Sequence, residues 1–158
     1  MNLTIGYINR AIYQEDIEKP PASRMSAGID MRANIPRTIV LDSPYSVKIP
    51  LGLGMEIPEG YAGLLVPRSG TGSRGFELVN TMGVIDADYR GEIIAVARNK
   101  LHGTGKPLTI EPGERIAQLI IVPVMTLAMF TGINHISFDD VGQTERGAGG
   151  FGSTGSGV

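Results

Sequence analysis

A chain of 158 residues, 42% hydrophobic and 19% charged, has the size and balance of one globular domain and is too apolar for a disordered chain. Its formal charge of −2 supplies no basic field, which argues against broad nucleic-acid binding, and the lack of cysteine excludes disulfides and thiolate metal sites. With no charged-then-apolar leader and no apolar run near the ~20 residues of a membrane helix, the expectation is a soluble, cytoplasmic protein with no membrane and no direct nucleic-acid partner. His102 and His135 stand apart from other ligand-type residues and read as structural.

Glycine and proline, 22 and 10 residues spread along the chain, leave little room for long helices. Taken in order, the pattern predicts a helical turn at 11–17, a strand at 38–41, and an alternating stretch over 47–57. There Val47, Ile49, Leu51, Leu53, Met55 and Ile57 share one face, with Lys48, Pro50, Gly52, Gly54, Glu56 and Pro58 opposite. Further apolar runs lie at 62–66, 92–97, 107–110, 116–124 and 127–130, and a second helical turn at 69–74. Many short strands between Gly/Pro turns indicate an all-β sandwich or barrel, with a jelly roll the best fit. The core pattern stops near Gly142, where a glycine-rich tail begins.

Four polar or glycine-rich islands interrupt apolar surroundings: AGIDMRA at 27–33, PRSGTGSRG at 67–75, GVIDADYRGEI at 83–93 and RGAGGFGSTG at 146–155. Unpaired buried charge costs several kcal/mol, so polar groups packed between strands usually point at something. In the second island, Arg68 offers a fork of donors, Ser69 a hydroxyl, and Gly70 a close backbone approach, which suits phosphate oxygens; taken alone, the island reads first as a surface turn. Asp30 beside Arg32, and Asp88 beside Arg90, have the simpler reading of structural ion pairs. Asp86 follows Ile85, and alternation from a buried strand aims it at a cleft. An Asp base beside phosphate donors implies water activation and attack on phosphorus. The run 116–124 is apolar except for Gln118 and reads as a buried strand whose amide bonds to neighbouring backbone. The tail reads as a linker, or as a strap that stacks Phe151 on a base and points Arg146 at phosphate.

Two glycine patterns mislead. Gly70, Gly72, Gly75 and Gly147, Gly149, Gly152 both match G-x-G-x-x-G, but neither has the strand before and long helix after that a dinucleotide fold requires. GTGKP at 103–107 resembles half a P-loop with its first glycine misplaced and Pro107 in place of Ser/Thr.

In order along the chain, SAGIDMRA, PRSG, NTMGVIDADYRGEI, GERIAQLIIVPV and RGAGGFGSTG resemble the five motifs of the homotrimeric dUTPases (dUTP diphosphatases), spanning residues 26–155. The resemblance implies a jelly-roll or β-clip-like distorted barrel over 1–141, a flexible C-terminal lid over 142–158, and a homotrimer with shared active sites. It implies hydrolysis of dUTP to dUMP and pyrophosphate with Mg2+ on the triphosphate. By the same resemblance Asp86 matches the general base, Asn80 and the backbone of Gly83, Val84, Ile85 and Asp86 the pocket reading the uracil edge, and Tyr89 the ring under deoxyribose. Ile94 lies where the third motif continues beside that pocket. Arg68, Ser69, Gly70 and Gln118 match phosphate-holding positions. Arg146 matches the arginine acting on the phosphates, Phe151 the ring capping uracil, and Gly152, Ser153 and Thr154 the segment around the terminal phosphate. Asp30 matches the carboxylate that meets the metal through water.

Thr71 and Ser73-Arg74 depart from the commoner Leu and Lys-His pattern, and Ala148 stands where the family varies; Arg74 is left as either a phosphate contact or a trimer-interface charge. The rivals are a dCTP deaminase of the same fold, acting through a hairpin glutamate where this chain has Asp86, and a non-catalytic trimeric jelly roll that binds a nucleotide or protein.

Overall fold

The computed structural model describes residues 2–18, 25–142 and 144. The chain forms two units, residues 1–125 and 126–158. Among the described residues the first holds eleven strands: β1 (Thr4–Tyr7), β2 (Gly28–Arg32), β3 (Ile39–Leu41), β4 (Val47–Pro50), β5 (Leu53–Glu56), β6 (Tyr61–Pro67), β7 (Phe76–Leu78), β8 (Gly83–Ile85), β9 (Ile94–Asn99), β10 (Leu108–Ile110) and β11 (Arg115–Pro123). Between them lie a 3-10 turn at Arg10–Tyr13, α1 (Gln14–Glu18) and α2 (Ser69–Ser73). The described part of the second unit carries 3-10 turns at Leu127–Met129 and Phe138–Asp140.

Every ladder is antiparallel: β1 with β5, β3 with β10, β4–β9–β7, and the four-stranded order β2-β11-β6-β8. Pairing between strands distant in sequence, within small sheets that share one core, is the jelly-roll arrangement expected from the strand pattern. Ile49, Leu51, Leu53, Phe76, Leu78, Ile93, Ile110, Ile116 and Leu119 are fully buried in that core, each adding about 1.5–3 kcal/mol by leaving water.

The alternating stretch 47–57 keeps its inward face, since Ile49, Leu51, Leu53, Met55 and Ile57 are all buried. It is nevertheless two strands in two sheets. Gly52 takes φ +70, a conformation open to glycine, and the chain leaves β9 for β1 at that point. The run at 127–130, expected as a strand, is a 3-10 turn closed by Met129 N–H donating to the Thr126 carbonyl at 2.9 Å. Four apolar residues do not distinguish a strand from a helical turn by periodicity. The third correction concerns β11. Its inner face is buried at Ala117 and Leu119, but Gln118, Ile120 and Val122 are only half-buried. With Leu64 and Val66 of β6 and the exposed Val84 of β8, they make an apolar outer face on the sheet.

Tyr13 locks the N-terminal segment to this core. Its hydroxyl donates to the Leu51 carbonyl at 2.6 Å and accepts from the Arg32 backbone N–H at 2.9 Å. Burial pushes its pKa up to about 12, against the smaller opposing pull of the Arg32 N–H and guanidinium. A raised folded-state pKa means the contribution is complete below about pH 10 and lost as pH rises towards 12. Tyr13→Phe should therefore cost about 1–3 kcal/mol in denaturant unfolding at pH 7, by stranding two buried backbone groups. It should also flatten the loss of stability between roughly pH 10 and 12.

Candidate active site

The ladder β2-β11-β6 gathers the first charged group. Gln118 of β11 lies opposite Asp30 of β2 on one side and Val66 of β6 on the other, and Arg68 follows two residues beyond Val66. Arg68 Nε sits 2.8 Å from Asp30 Oδ1. Gln118 is half-buried rather than buried, and Gly28 leaves it room, since a Cβ there would lie 3.0 Å from Gln118 Oε1.

Beyond Arg68 the chain turns into α2. Gly72 N–H donates to the Arg68 carbonyl at 2.8 Å, and the Thr71 hydroxyl donates to the Ile116 carbonyl at 2.7 Å. Thr71 thereby ties the turn to β11 with a buried bond. Ser69 and Gly70 are exposed, and a Cβ at Gly70 would meet nothing within 4 Å. The turn thus presents a hydroxyl, backbone and a guanidinium to open space. Arg74 is engaged by the Glu114 carboxylate.

The hairpin carries the second group. Asn80 precedes β8, Gly83 packs on Leu65, and Asp86 opens a turn closed by Tyr89 N–H donating to the Asp86 carbonyl at 3.1 Å. Tyr89 folds back over Gly91, its hydroxyl donating to the Glu92 carbonyl at 2.9 Å; a Cβ on Gly91 would collide with the Tyr89 hydroxyl. Arg90 donates to the carbonyls of Ala87 and Tyr89 at 2.7 and 3.0 Å, in place of the expected pair with Asp88. Asp86 is exposed, not directed into a cleft of its own chain. Ile94 at the start of β9 is exposed as well. Arg146, Phe151, Gly152, Ser153 and Thr154 lie outside the described residues.

Arg68 and Asp86 do not meet within one chain. Arg68 leaves one end of β6, while β8 runs antiparallel with Ile85 opposite Gly63, so the register carries Asp86 towards Ala62. Six strand positions, at about 3.3 Å each, set the two ends roughly 20 Å apart. Clefts of about 340 Å3 beside β1 and β5 and about 420 Å3 beside α2 are lined by neither Asp30 nor Asp86.

The expected Asp30–Arg32 pair does not form. Arg32 turns instead to α1, its Nε and Nη2 at 2.6 and 3.0 Å from the two carboxylate oxygens of Asp16. The Arg32 hydrogen bond holds the Asp16 carboxyl below its ordinary range, overcoming the upward push of burial. Glu15, Asp16 and Arg115 were not legible as site neighbours. Glu15 and Asp16 signal only as an acidic pair in a predicted helical turn, a feature of many solvated surfaces, and Arg115 lies in the GERIAQ motif with no role attached to it.

Thr81 is the one non-glycine residue at positive φ, +64, among those described. Met82 N–H donates to the Asn80 carbonyl at 2.6 Å, which closes a γ-turn on Thr81 of the rarer, strained hand. The strain lies next to Asn80 and Gly83, where the hairpin is shaped. Thr81→Gly should raise stability by about 0.5–1 kcal/mol in denaturant unfolding, because relief of strain outweighs the entropy of glycine.

A family model described as dUTPase matches residues 16–155. A deoxyuridine 5'-triphosphate nucleotidohydrolase of Bordetella pertussis is 43% identical over 134 residues, 84% of each chain. One of Ectopseudomonas mendocina is 46% identical over 133 residues, 83% of this chain and 82% of the relative. Among solved structures, Staphylococcus bacteriophage 80alpha dUTPase with dUPNHPP superposes with a TM-score of 0.75 at 28% identity, covering 98% of both chains. With its model matched across nearly the whole length, the chain belongs to the dUTPase family.

Proposed function

We propose that the protein hydrolyses dUTP to dUMP and pyrophosphate as a homotrimer whose active sites are each assembled from neighbouring chains. The observation that carries this reading is the division of the site between the two ends of β6. A phosphate-holding end and a hairpin end that cannot meet in one chain become complete when a second copy brings its hairpin to Arg68. The apolar outer face of β11 and β6 supports association, since half-buried Leu64, Val66, Ile120 and Val122 gain from being covered.

In this reading Asn80 and the backbone from Gly83 to Asp86 read the uracil edge, and Tyr89, held by Glu92 and Gly91, packs under deoxyribose and disfavours a 2′-hydroxyl. Arg68, Ser69, Gly70 and Gln118 hold phosphate oxygens. Asp86 takes a proton from water as its oxygen bonds to the α-phosphorus; the bond from that phosphorus to the bridging oxygen breaks and pyrophosphate leaves. Arg68 and Arg146 neutralise charge gathering on the phosphates. The glycine-rich end, 142–158, serves as the lid that brings Arg146, Phe151, Gly152, Ser153 and Thr154 to the nucleotide. The reaction supplies dUMP for thymidylate synthesis, and its removal of dUTP keeps uracil out of DNA. No helix among the described residues is long and apolar enough to cross a membrane, and a cytoplasmic place suits this role.

A metal fits under one condition. No group of three or more His, Asp or Glu among the described residues could cage an ion, and Asp30 stands as a single carboxylate facing two guanidiniums. That set suits Mg2+ arriving on the triphosphate with its water retained, with Asp30 as an outer-sphere partner. Bound there, the ion would supply charge neutralisation on the phosphate oxygens.

Pyrophosphate should be released from dUTP, with dTTP, dCTP and UTP far poorer substrates; ammonia from dCTP without pyrophosphate from dUTP would reverse the reading. Asp86→Asn should keep the fold and dUTP binding but lose about 10²–10⁴ in kcat, the usual worth of a positioned base. Light scattering should give a trimer mass, and a monomer at working concentration would contradict the shared site.

A further inference from the structure

An ordinary ladder would not put Arg115 beside Asp30. Arg115 lies opposite Arg32, but the register then slips, with Ala117 opposite Met31, so Ile116 is an extra residue in β11. This bulge buries Ile116 and turns Arg115 onto the face shared by Arg32, Asp30 and Gln118. Two arginines directly opposite one another repel, and the pairing is unfavourable without a counter-charge.

The acidic pair of α1 supplies that counter-charge. Asp16 Oδ1 lies 3.0 Å from Arg115 Nη2, and Glu15 Oε2 lies 3.3 Å from the Nη2 atoms of both Arg115 and Arg32. Arg115 Nε is 3.6 Å from Asp30 Oδ2, and Asp30 Oδ1 is 2.8 Å from Arg68 Nε. Three guanidiniums and three carboxylates therefore alternate from α1 to the phosphate-binding turn. Arg68 and Asp30 are 38% and 29% exposed, and Arg32, at 12%, is the least exposed member of the cluster.

We propose that Arg115, anchored by Glu15 and Asp16, is a positioning residue for Arg68. It holds Asp30 where Asp30 orients the Arg68 fork. When Arg68 turns to a triphosphate, Arg115 remains as the counter-charge of Asp30, so that carboxylate is not stranded. Without Arg115, Asp30 would compete with the phosphate for Arg68. This rests on reading the turn after β6 as a triphosphate site.

The test is a double-mutant cycle on the full-length protein with Arg115→Gln and Arg68→Gln. Steady-state dUTP hydrolysis is measured, together with binding of dUMP and of a non-hydrolysable dUTP analogue. Arg115→Gln should raise KM and weaken analogue binding by about five- to thirty-fold while changing kcat less and leaving dUMP affinity unchanged. In the Arg68→Gln background the same change should have no further effect on analogue binding. Arg115→Lys, which keeps the charge, should recover part of the loss. Asp16→Asn, one contact further out, should show the same pattern more weakly and serves if Arg115→Gln does not fold. Equal effects of Arg115→Gln with and without Arg68, or parallel loss of dUMP and analogue binding, would overturn the proposal. A wild-type protein that neither binds nor cleaves dUTP would instead overturn the functional reading beneath it.

Discussion

The pairing of β11 on both edges is the constraint from which the site follows. Gln118 faces Asp30 on one neighbour and Val66 on the other, so a single ladder puts a carboxylate, an amide and the exit towards Arg68 in line. A slip of one residue would turn every side chain of β11 to the opposite face. The register is protected by burial, because Ala117 and Leu119 would have to trade places with Gln118 and Ile120. The one place where it does slip, at Ile116, lies beside the charged cluster.

That bulge is itself tied down. The carbonyl of Ile116, on the β6 side where the register is kept, accepts the Thr71 hydroxyl at 2.7 Å and the Arg68 backbone N–H at 3.4 Å. The turn holding Ser69 and Gly70 is thus fastened to the residue that redirects Arg115. Strand irregularity and turn geometry form one unit here, and the departure to Thr71 is the residue that makes the bond.

Much of this was legible in the sequence where the signal is local. Alternation from Val47 to Ile57 identified five core residues, and the runs at 62–66 and 116–124 became β6 and β11. The break at Gly52 was not legible, because alternation reports which face is buried and not which neighbour is paired. β1, β2, β7 and β8 have three to five residues each, some carrying glycine or charge, and gain strand character only from their partners. The five motifs name candidate residues for both groups but not the separation of Arg68 from Asp86 along β6, which is a property of register. Arg115 and Glu15 are 100 positions apart in sequence, and no periodicity links them.

The distance between Arg68 and Asp86 along one strand also has a genetic meaning. If each site takes its phosphate-holding end from one chain and its base from another, damage at the two ends falls on different chains. A chain lacking Arg68 and a chain lacking Asp86 would each be inactive alone. Co-assembled, they would regenerate intact sites wherever a sound hairpin meets a sound turn, so two defective alleles in one cell would complement.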